Sequence, residues 1–416
     1  MVRLAIGIPT RNRAELAIAA VESALRSAPP EVAVIVSDNS TDEGERRRLE
    51  EFCAGQAPGA VEYVRPPEPL RMPVHWEWLW GVIRERIAPT HISYLTDRLV
   101  LVDGALAELV EIVDRHPGRV VSYQCDHVND LTVPVELVQR PWTGQLLELD
   151  ARRLIELSSR GAWGDYMARM LNSVAPVETM EAIERRFGGV FGDVSPDYRF
   201  AYRCLAISET TLYLDRSCII EHGMRQSAGG SFARGKMNEH ATNFARQLTA
   251  PRFGATPEPG LETVANAIFQ EYYAVRAEGC EDRFPEPERR SYLGTNAVSV
   301  ERIGDAEWRQ RMQSLLSARG WTRAQSARGK FRTTIEMGGY LTRHPGALAR
   351  TVKRQLWDRP PGTPASHLLP RVGLNPRIRD DLRFASSAEA IAHANTHPRP
   401  RTRHSWELHR LARAGA

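Results

Sequence analysis

Short apolar runs alternate with helical spacing through the first part of the chain. Residues 2–8 (VRLAIGI) are mostly apolar and end at Pro9, which predicts a short buried strand. Leu16, Ala20, Val21 and Leu25 fall at helical spacing over residues 14–27, and Pro29-Pro30 stops that helix. Residues 31–36 predict a second strand, almost wholly apolar as central parallel strands tend to be. It runs straight into the polar loop Ser37-Asp38-Asn39-Ser40-Thr41-Asp42. A charged helix over residues 42–53, a third strand over 61–64 and a helix with a heavy aromatic face over 74–87 follow. Residues 91–95 (HISYL) predict a fourth strand ending at Thr96-Asp97-Arg98, then come a helix over 104–116 and a strand over 119–123.

Strands alternating with helices predict a doubly wound α/β sheet, mostly parallel and flanked by helices. Such sheets bind ligands beyond the C-terminal ends of their strands. The polar tripeptides after the first, second and fourth strands all fall on that edge. After about residue 150 the pattern turns helical, strand-like content returns over 204–220, and residues 223–235 (GMRQSAGGSFARG) read as a Gly/Ser loop. Residues 236–318 read as mainly helical, and beyond about 360 Pro, Arg, His and Ser dominate without a folding pattern. The expected organisation is an α/β domain over 1–235, a helical extension over 236–320 and a basic, partly disordered tail over 321–416.

A chain of 416 residues has room for two or three domains, and 42 % apolar with 25 % charged residues is ordinary for a globular protein. No run approaches the roughly 18 apolar residues of a membrane span, and the opening MVRLAIGIPTRNR does not read as a secretory leader. The expected place is the cytoplasm. Cys53, Cys125, Cys204, Cys218 and Cys280 are scattered, which argues against a zinc cluster or a disulfide framework. The net charge of +4 hides an asymmetry, because residues 319–416 hold 19 Lys+Arg against 6 Asp+Glu. That tail reads either as solvated chain or as a contact for something anionic, such as lipid head groups. Residues 339–357 (GYLTRHPGALARTVKRQLW) mix apolar and basic residues as an interfacial helix would, which would put the chain on the inner face of the plasma membrane. Nucleic acid is disfavoured as a partner, since the tail arginines lie among prolines without stacking aromatics.

The Gly-rich phosphate cradles G-x-x-x-x-G-K-[ST] and G-x-G-x-x-G are absent. Two polar loops stand in their place, Pro9-Thr10-Arg11-Asn12-Arg13 and Ser37-Asp38-Asn39. A carboxylate at a strand end can accept from a base N–H, and Arg11 or Arg13 can face phosphate. The same Asp-Asn-Ser-Thr-Asp string is also ordinary turn and N-cap chemistry.

The run AIGIPTRNRAELAIAAVESAL followed by VAVIVSDNSTDEG resembles the opening of the family 2 inverting glycosyltransferases, which have the GT-A fold. PLRMPVHWEWLWGVI, ISYLTDRLVLVDGALAELVEIVDRHP and VAPVETMEAIERRFGGVFGDVSPDYRF continue the resemblance, which covers roughly residues 3 to 235. It implies a GT-A, Rossmann-like α/β fold that moves a sugar from a nucleotide-sugar donor, a UDP-sugar above all, to a saccharide or lipid-linked acceptor with inversion. Carried over by position, Pro9, Thr10 and Asp38 lie against the nucleotide base, with Asn12, Arg13 and Asp42 shaping the pocket beside Arg11 and Asn39. Asp97 takes the D-x-D place beside ribose and pyrophosphate, His222 lies near metal and phosphates, and Asp197 is the general base. The leaving diphosphate needs a cation, and the acceptor hydroxyl needs a carboxylate to take its proton.

The D-x-D motif is incomplete. Thr96-Asp97-Arg98-Leu99 keeps one carboxylate, a poor site for Mg2+ or Mn2+, which prefer several oxygen ligands. Two readings stay open: Arg98 acts as the fixed cation in a metal-independent transfer, or the domain is a non-catalytic sugar-nucleotide-binding module with a basic tail. Asp197, after Pro196, also reads as a plain N-cap, and His222 as a structural histidine. Trp76 and Trp80 share a helix face and read as core, while Trp78 is placed to cap a sugar or base. Glu209 and Asp215 read as surface charges.

Overall fold

In the computed structural model of the chain, residues 2–26, 28–234, 253–322 and 382–397 are described, with 238–239, 242, 325, 401–403, 405, 407–408 and 411 beside them. The first units are β1 (Leu4–Thr10), α1 (Ala14–Arg26), β2 (Val32–Asp38), α2 (Glu43–Ala54), β3 (Glu62–Val64), α3 (Met72–Arg86) and β4 (His91–Tyr94). Then come β5 (Leu99–Leu101), α4 (Ala105–Arg115), β6 (Val121–Asn129), β7 (Val135–Val138), β8 (Leu146–Asp150) and α5 (Ala151–Ser159). β9 (Ser173–Pro176), α6 (Val177–Phe187), α7 (Pro196–Ile207) and β10 (Thr210–Glu221) complete the main body.

Alternation along β1 explains the layering. Leu4, Ile6 and Ile8 pack with Ala17 and Val21 of α1 and Leu106 of α4, while Ala5 points to the other face with Trp76, Trp80 and Ile83 of α3. Both faces are therefore apolar, as the continuous run in the sequence requires. Gly7 lets α3 lie close, because a Cβ there would stand 3.0 Å from Ile83 Cδ1 and 3.0 Å from Tyr94 Cε1. Trp76 and Trp80 are buried, and Trp76 meets the Tyr94 and Phe191 rings edge-on at 5.4 and 5.3 Å.

The fold is the expected α/β, Rossmann-like sheet with helices on both faces. Its path runs β11-β7-β6-β9-β4-β1-β2-β3, with β10 beside β5, β6 and β8, and β11 is Arg383–Phe384. Parallel pairing is confined to β3-β2-β1-β4 and to β6-β10. β9 runs antiparallel between β4 and β6, and β5, β7 and β8 also pair antiparallel. Helices Val264–Ala277, Arg289–Glu301 and Ala306–Ala318 form the helical extension.

The structure differs from the sequence reading at four places. Residues 196–207, read partly as strand, are helical through Ile207, and the strand begins at Thr210. Residues 223–235 are not simply loop, since a 3-10 turn at Met224–Gln226 and a helix at Ala228–Arg234 lie there. Asp215 is fully buried rather than a surface charge: it accepts from Thr143 N–H at 2.9 Å, Thr143 Oγ1 at 2.7 Å and Gln124 Nε2. Within the tail, β11 pairs with β7, and helix Ser387–Thr396 packs Ala390 and Ala394 against Val128, Leu137 and Ile220. The basic stretch 339–357 lies outside the described residues. All five cysteines are buried and free, and no helix among the described residues is long and apolar enough to cross a membrane.

Candidate active site at the strand ends

Register brings the candidate residues together. Thr10 lies opposite Asp38 where β1 and β2 end. β1 pairs with β4 from Leu4 opposite His91 to Gly7 opposite Tyr94, so the same offset carries Thr10 to Asp97. Thr10 Oγ1 donates to Asp97 Oδ2 at 2.8 Å, and Arg13 Nε stands 2.8 Å from that oxygen. Asp97 is fully buried, and its Oδ1 has no hydrogen-bond partner. A buried carboxylate oxygen left open in this way is costly unless something else fills it.

Asp38, also fully buried, is held by its own loop. Its Oδ2 accepts from Tyr63 Oη at 2.8 Å and Arg65 Nη1 at 3.4 Å, and its Oδ1 from Ser40 N–H at 2.8 Å. Burial, then Asp38, pushes the Tyr63 phenol up, so it stays a donor. Asn12 adopts φ 53°, a left-handed conformation that Asn tolerates, and ties the two loops together. Its N–H donates to Ser40 Oγ, and its Oδ1 accepts from Thr41 and Asp42 N–H. Asp42 is the N-cap of α2 and accepts from Glu45 N–H.

Asn39 clamps Leu70 from both sides, through Nδ2 to its carbonyl and Oδ1 to its N–H, each at 2.8 Å. Arg11 donates to the same carbonyl, and burial lowers its pKa. Pro9 is buried opposite Ser37, whose Oγ lies 2.6 Å from His75 Nε2. Burial, aided by the Arg11 charge, drives His75 down to about 3, so it is neutral. Half-buried Trp78 stacks on His75 with ring centroids 6.3 Å apart. Beside these loops Asn39, Ser40 and residues 65–69 line a small, shallow cleft of about 40 Å³, far below the roughly 300–1,000 Å³ of a site that encloses a drug-sized ligand.

The second half of the rim is an ion-pair chain. Arg98 Nη1 meets Glu221 Oε1 at 2.9 Å, and Glu221 Oε2 meets His127 Nδ1 at 3.0 Å. Burial would raise the Glu221 carboxyl, but His127 and Arg98 outweigh it and hold the group well below the usual carboxylate range. His127 Nε2 lies 3.2 Å from Arg140, which meets Asp165 Oδ2 at 2.5 Å. Asp165 Oδ1 meets Arg169 at 3.2 Å, and Arg169 lies over the Tyr198 ring. Half-buried Asp197 follows Pro196 in the first turn of α7. Burial raises its carboxyl, while the Arg169 charge and the first N–H groups of α7 oppose the rise. The N-cap position belongs to Ser195, so the N-cap reading of Asp197 does not hold.

His222 is buried directly after β10. Its N–H donates to the Arg98 carbonyl at 2.9 Å, its Nε2 has no partner, and burial lowers its pKa. No group of three or more His, Cys, Asp or Glu able to hold a metal ion occurs among the described residues.

The structure thus brings Thr10, Arg13 and Asp97 into direct contact, with Asp38 one strand away and His222 beside Arg98. Asn12, Asn39 and Asp42 build the loops, and Arg11 anchors the Leu70 segment. Sequence reasoning missed Glu221, His127, Arg140, Asp165 and Arg169. Glu221 could have been found, since it sits beside His222 at the end of a long apolar strand. The others carry no local pattern.

No family model matches the chain, and no curated protein matches it. Solved structures do. S. aureus TarS 1–349 in complex with UDP-GlcNAc is similar at 10 % identity, over 78 % of this chain and 88 % of that one, with a TM-score of 0.42. A second S. aureus TarS structure is similar at 12 % identity over 74 % of this chain and 50 % of that one, with a TM-score of 0.39, so the chain spans half of its length. GalNAc-T7 with UDP, GalNAc and Mn2+ is similar at 12 % identity over 53 % of this chain and 44 % of that one, with a TM-score of 0.39.

Proposed function

We propose that this protein is an inverting glycosyltransferase that moves a sugar from a UDP-sugar to a saccharide or lipid-linked acceptor. The observation that carries the reading is Asp97. It is fully buried at the sheet rim, fixed by Thr10 and Arg13, and keeps one oxygen open. An open carboxylate oxygen at a strand end suits a ribose hydroxyl, or a cation that in turn holds the diphosphate. The end of β2 at Asp38, opposite Thr10, is the proposed place of the base. Asp197, whose carboxyl burial raises, suits proton abstraction from an acceptor hydroxyl near neutral pH.

Asp97 Oδ1 and His222 Nε2 are buried and without hydrogen-bond partners, and they would be the side chains to hold an Mg2+ or Mn2+ ion, with diphosphate oxygens and water supplying most of its shell. Such an ion would neutralise the leaving diphosphate. Arg98 is a weaker sole cation than the sequence suggested, because Glu221 already balances its charge. Its remaining N–H groups, with those of Arg13, would be the ones to meet an anion. The competing reading, a binding module without catalysis, draws on the single carboxylate of the incomplete motif. Membrane contact through residues 339–357 is kept as part of the proposal, with acceptor delivery at the inner face of the membrane as its consequence.

A thermal-shift panel of UDP-, GDP- and dTDP-sugars with and without Mn2+ tests the donor. A UDP-sugar should raise the melting temperature by mass action, and more with Mn2+. No shift from any nucleotide sugar contradicts the proposal. EDTA should abolish transfer and Mn2+ restore it, whereas EDTA-resistant transfer returns the cation role to Arg13 and Arg98.

A further inference from the structure

The segment that leads into Asp197 is gripped at two points by carboxylates. Glu77 of α3 accepts from Val190 and Phe191 N–H, both at 2.6 Å. Glu271, fully buried on helix Val264–Ala277, accepts from Val194 N–H at 3.1 Å and Ser195 N–H at 2.7 Å. The N-terminus of a helix leaves N–H groups without partners, and Ser195 makes no side-chain cap there. The cap comes instead from Glu271, supplied from another part of the chain, with its charge favourably placed at the positive end of α7.

The cations complete the grip. Arg199 Nε meets Glu271 at 2.5 Å, and its Nη1 meets Glu278 at 2.7 Å. Arg203 donates to the Gly189 and Phe191 carbonyls and pairs with Glu278 at 2.8 Å. Gly192 is the close-approach point, since a Cβ there would lie 2.6 Å from Glu271 Oε2 and 2.7 Å from Arg199 Cβ. Behind the clamp Tyr202 of α7 meets Tyr272 of the extension edge-on at 5.4 Å.

We infer that Glu271, with Glu77 at the other end of the segment, is a positioning residue for Asp197, and that the helical extension exists in part to supply it. This rests on the reading of Asp197 as the general base. A base displaced by about 1 Å can cost on the order of 100-fold in rate, so a buried carboxylate spent on two backbone N–H groups has a mechanistic use beyond stability. The extension is thereby tied to the acceptor step.

Amide exchange on the intact chain and carbon-13 titration of the Asp197 carboxyl test the inference. In Glu271→Gln, the amides of residues 190–198 should exchange at least about tenfold faster, with β1 and β2 unchanged. The Asp197 midpoint should move to lower pH, because water reaches the carboxyl once the segment loosens. Glu271→Asp should restore part of the protection. Unchanged exchange at 190–198, an equal rise in β1 and β2, or an unmoved Asp197 midpoint overturns the inference. Should Glu271→Gln fail to fold, Gly192→Ala, which drives a methyl into the same oxygen, is read by the same two signals. Neither signal uses donor or acceptor, so the base assignment is judged separately by the activity of Asp197→Asn.

Discussion

The two halves of the rim are built by different physics. On the donor side, Thr10, Asp38 and Asp97 are placed by strand register, and the loops between them close within a few residues of a strand end. On the other side, proposed to meet the acceptor at Asp197, Arg98 and Glu221 are 123 residues apart in sequence and His127 and Glu221 are 94 apart. That side is assembled by mostly half-buried charges brought together from distant parts of the chain. A parallel sheet fixes its own edge once its strands pair, whereas an ion-pair chain exists only when every contributing element has docked. The donor half should therefore tolerate loss of single polar partners, and the acceptor half should fail as a unit.

The largest effect that separates the halves should come from Asp197→Asn. Removing the base should lower transfer by about 10²–10⁴-fold while leaving donor affinity nearly unchanged. Full transfer in that variant would detach the acceptor half from catalysis. Next comes Asp165→Ala, which leaves Arg140 and Arg169 facing each other without their shared carboxylate. Chemical denaturation should show a loss of about 3 kcal/mol, and a loss within about 0.5 kcal/mol would mean the chain of pairs is not a unit.

Acid should act on both halves through groups held away from their ordinary pKa. His75 is kept neutral, down to about 3 against 6.5 when unfolded, so its stability is complete above 6.5 and is lost as pH falls through that window. Glu221 has the same sign, its stability being present above the ordinary Glu range and lost as pH falls toward its depressed folded value. Glu271 has the opposite sign, since burial raises it and stability falls as pH rises through its raised value. Melting temperatures between pH 7.5 and 5 should fall, and His75→Gln should make that fall shallower. An identical slope in the variant would remove His75 from the explanation. The smallest effect belongs to Arg71→Ala at the junction of the halves. Its pair with Asp193 at 3.5 Å is largely solvated, so the change should be within about 1 kcal/mol.

The same difference governs what could be read from sequence. The first four strands, their helices and the polar residues at their ends were legible, because each apolar run and its following loop are contiguous. Thr10, Asp38 and Asp97 needed only register to meet. His127, Arg140, Asp165 and Arg169 were not legible, because nothing local marks a charge that will be paired by a partner far along the chain. Asp215 misled for that reason: its partner Gln124 comes from β6 and its partner Thr143 from the connection between β7 and β8. The docked helix Ser387–Thr396 did leave a sign. Ser386 and Glu389 have the spacing of a capping box, Ser386 Oγ accepts from Glu389 N–H at 3.2 Å, and basic surroundings hid it. A deletion from residue 339 onward would consequently remove a packed element along with the basic stretch.

Isothermal titration of UDP, with Mn2+ present, into the parent chain and into Asp97→Asn bears most directly on the donor rim. One saturable site in the parent, weakened at least about tenfold in the variant with the melting temperature preserved, is the expected result. Equal affinity in both chains, or no binding by the parent, would show that the strand ends around Asp97 do not hold a nucleoside diphosphate.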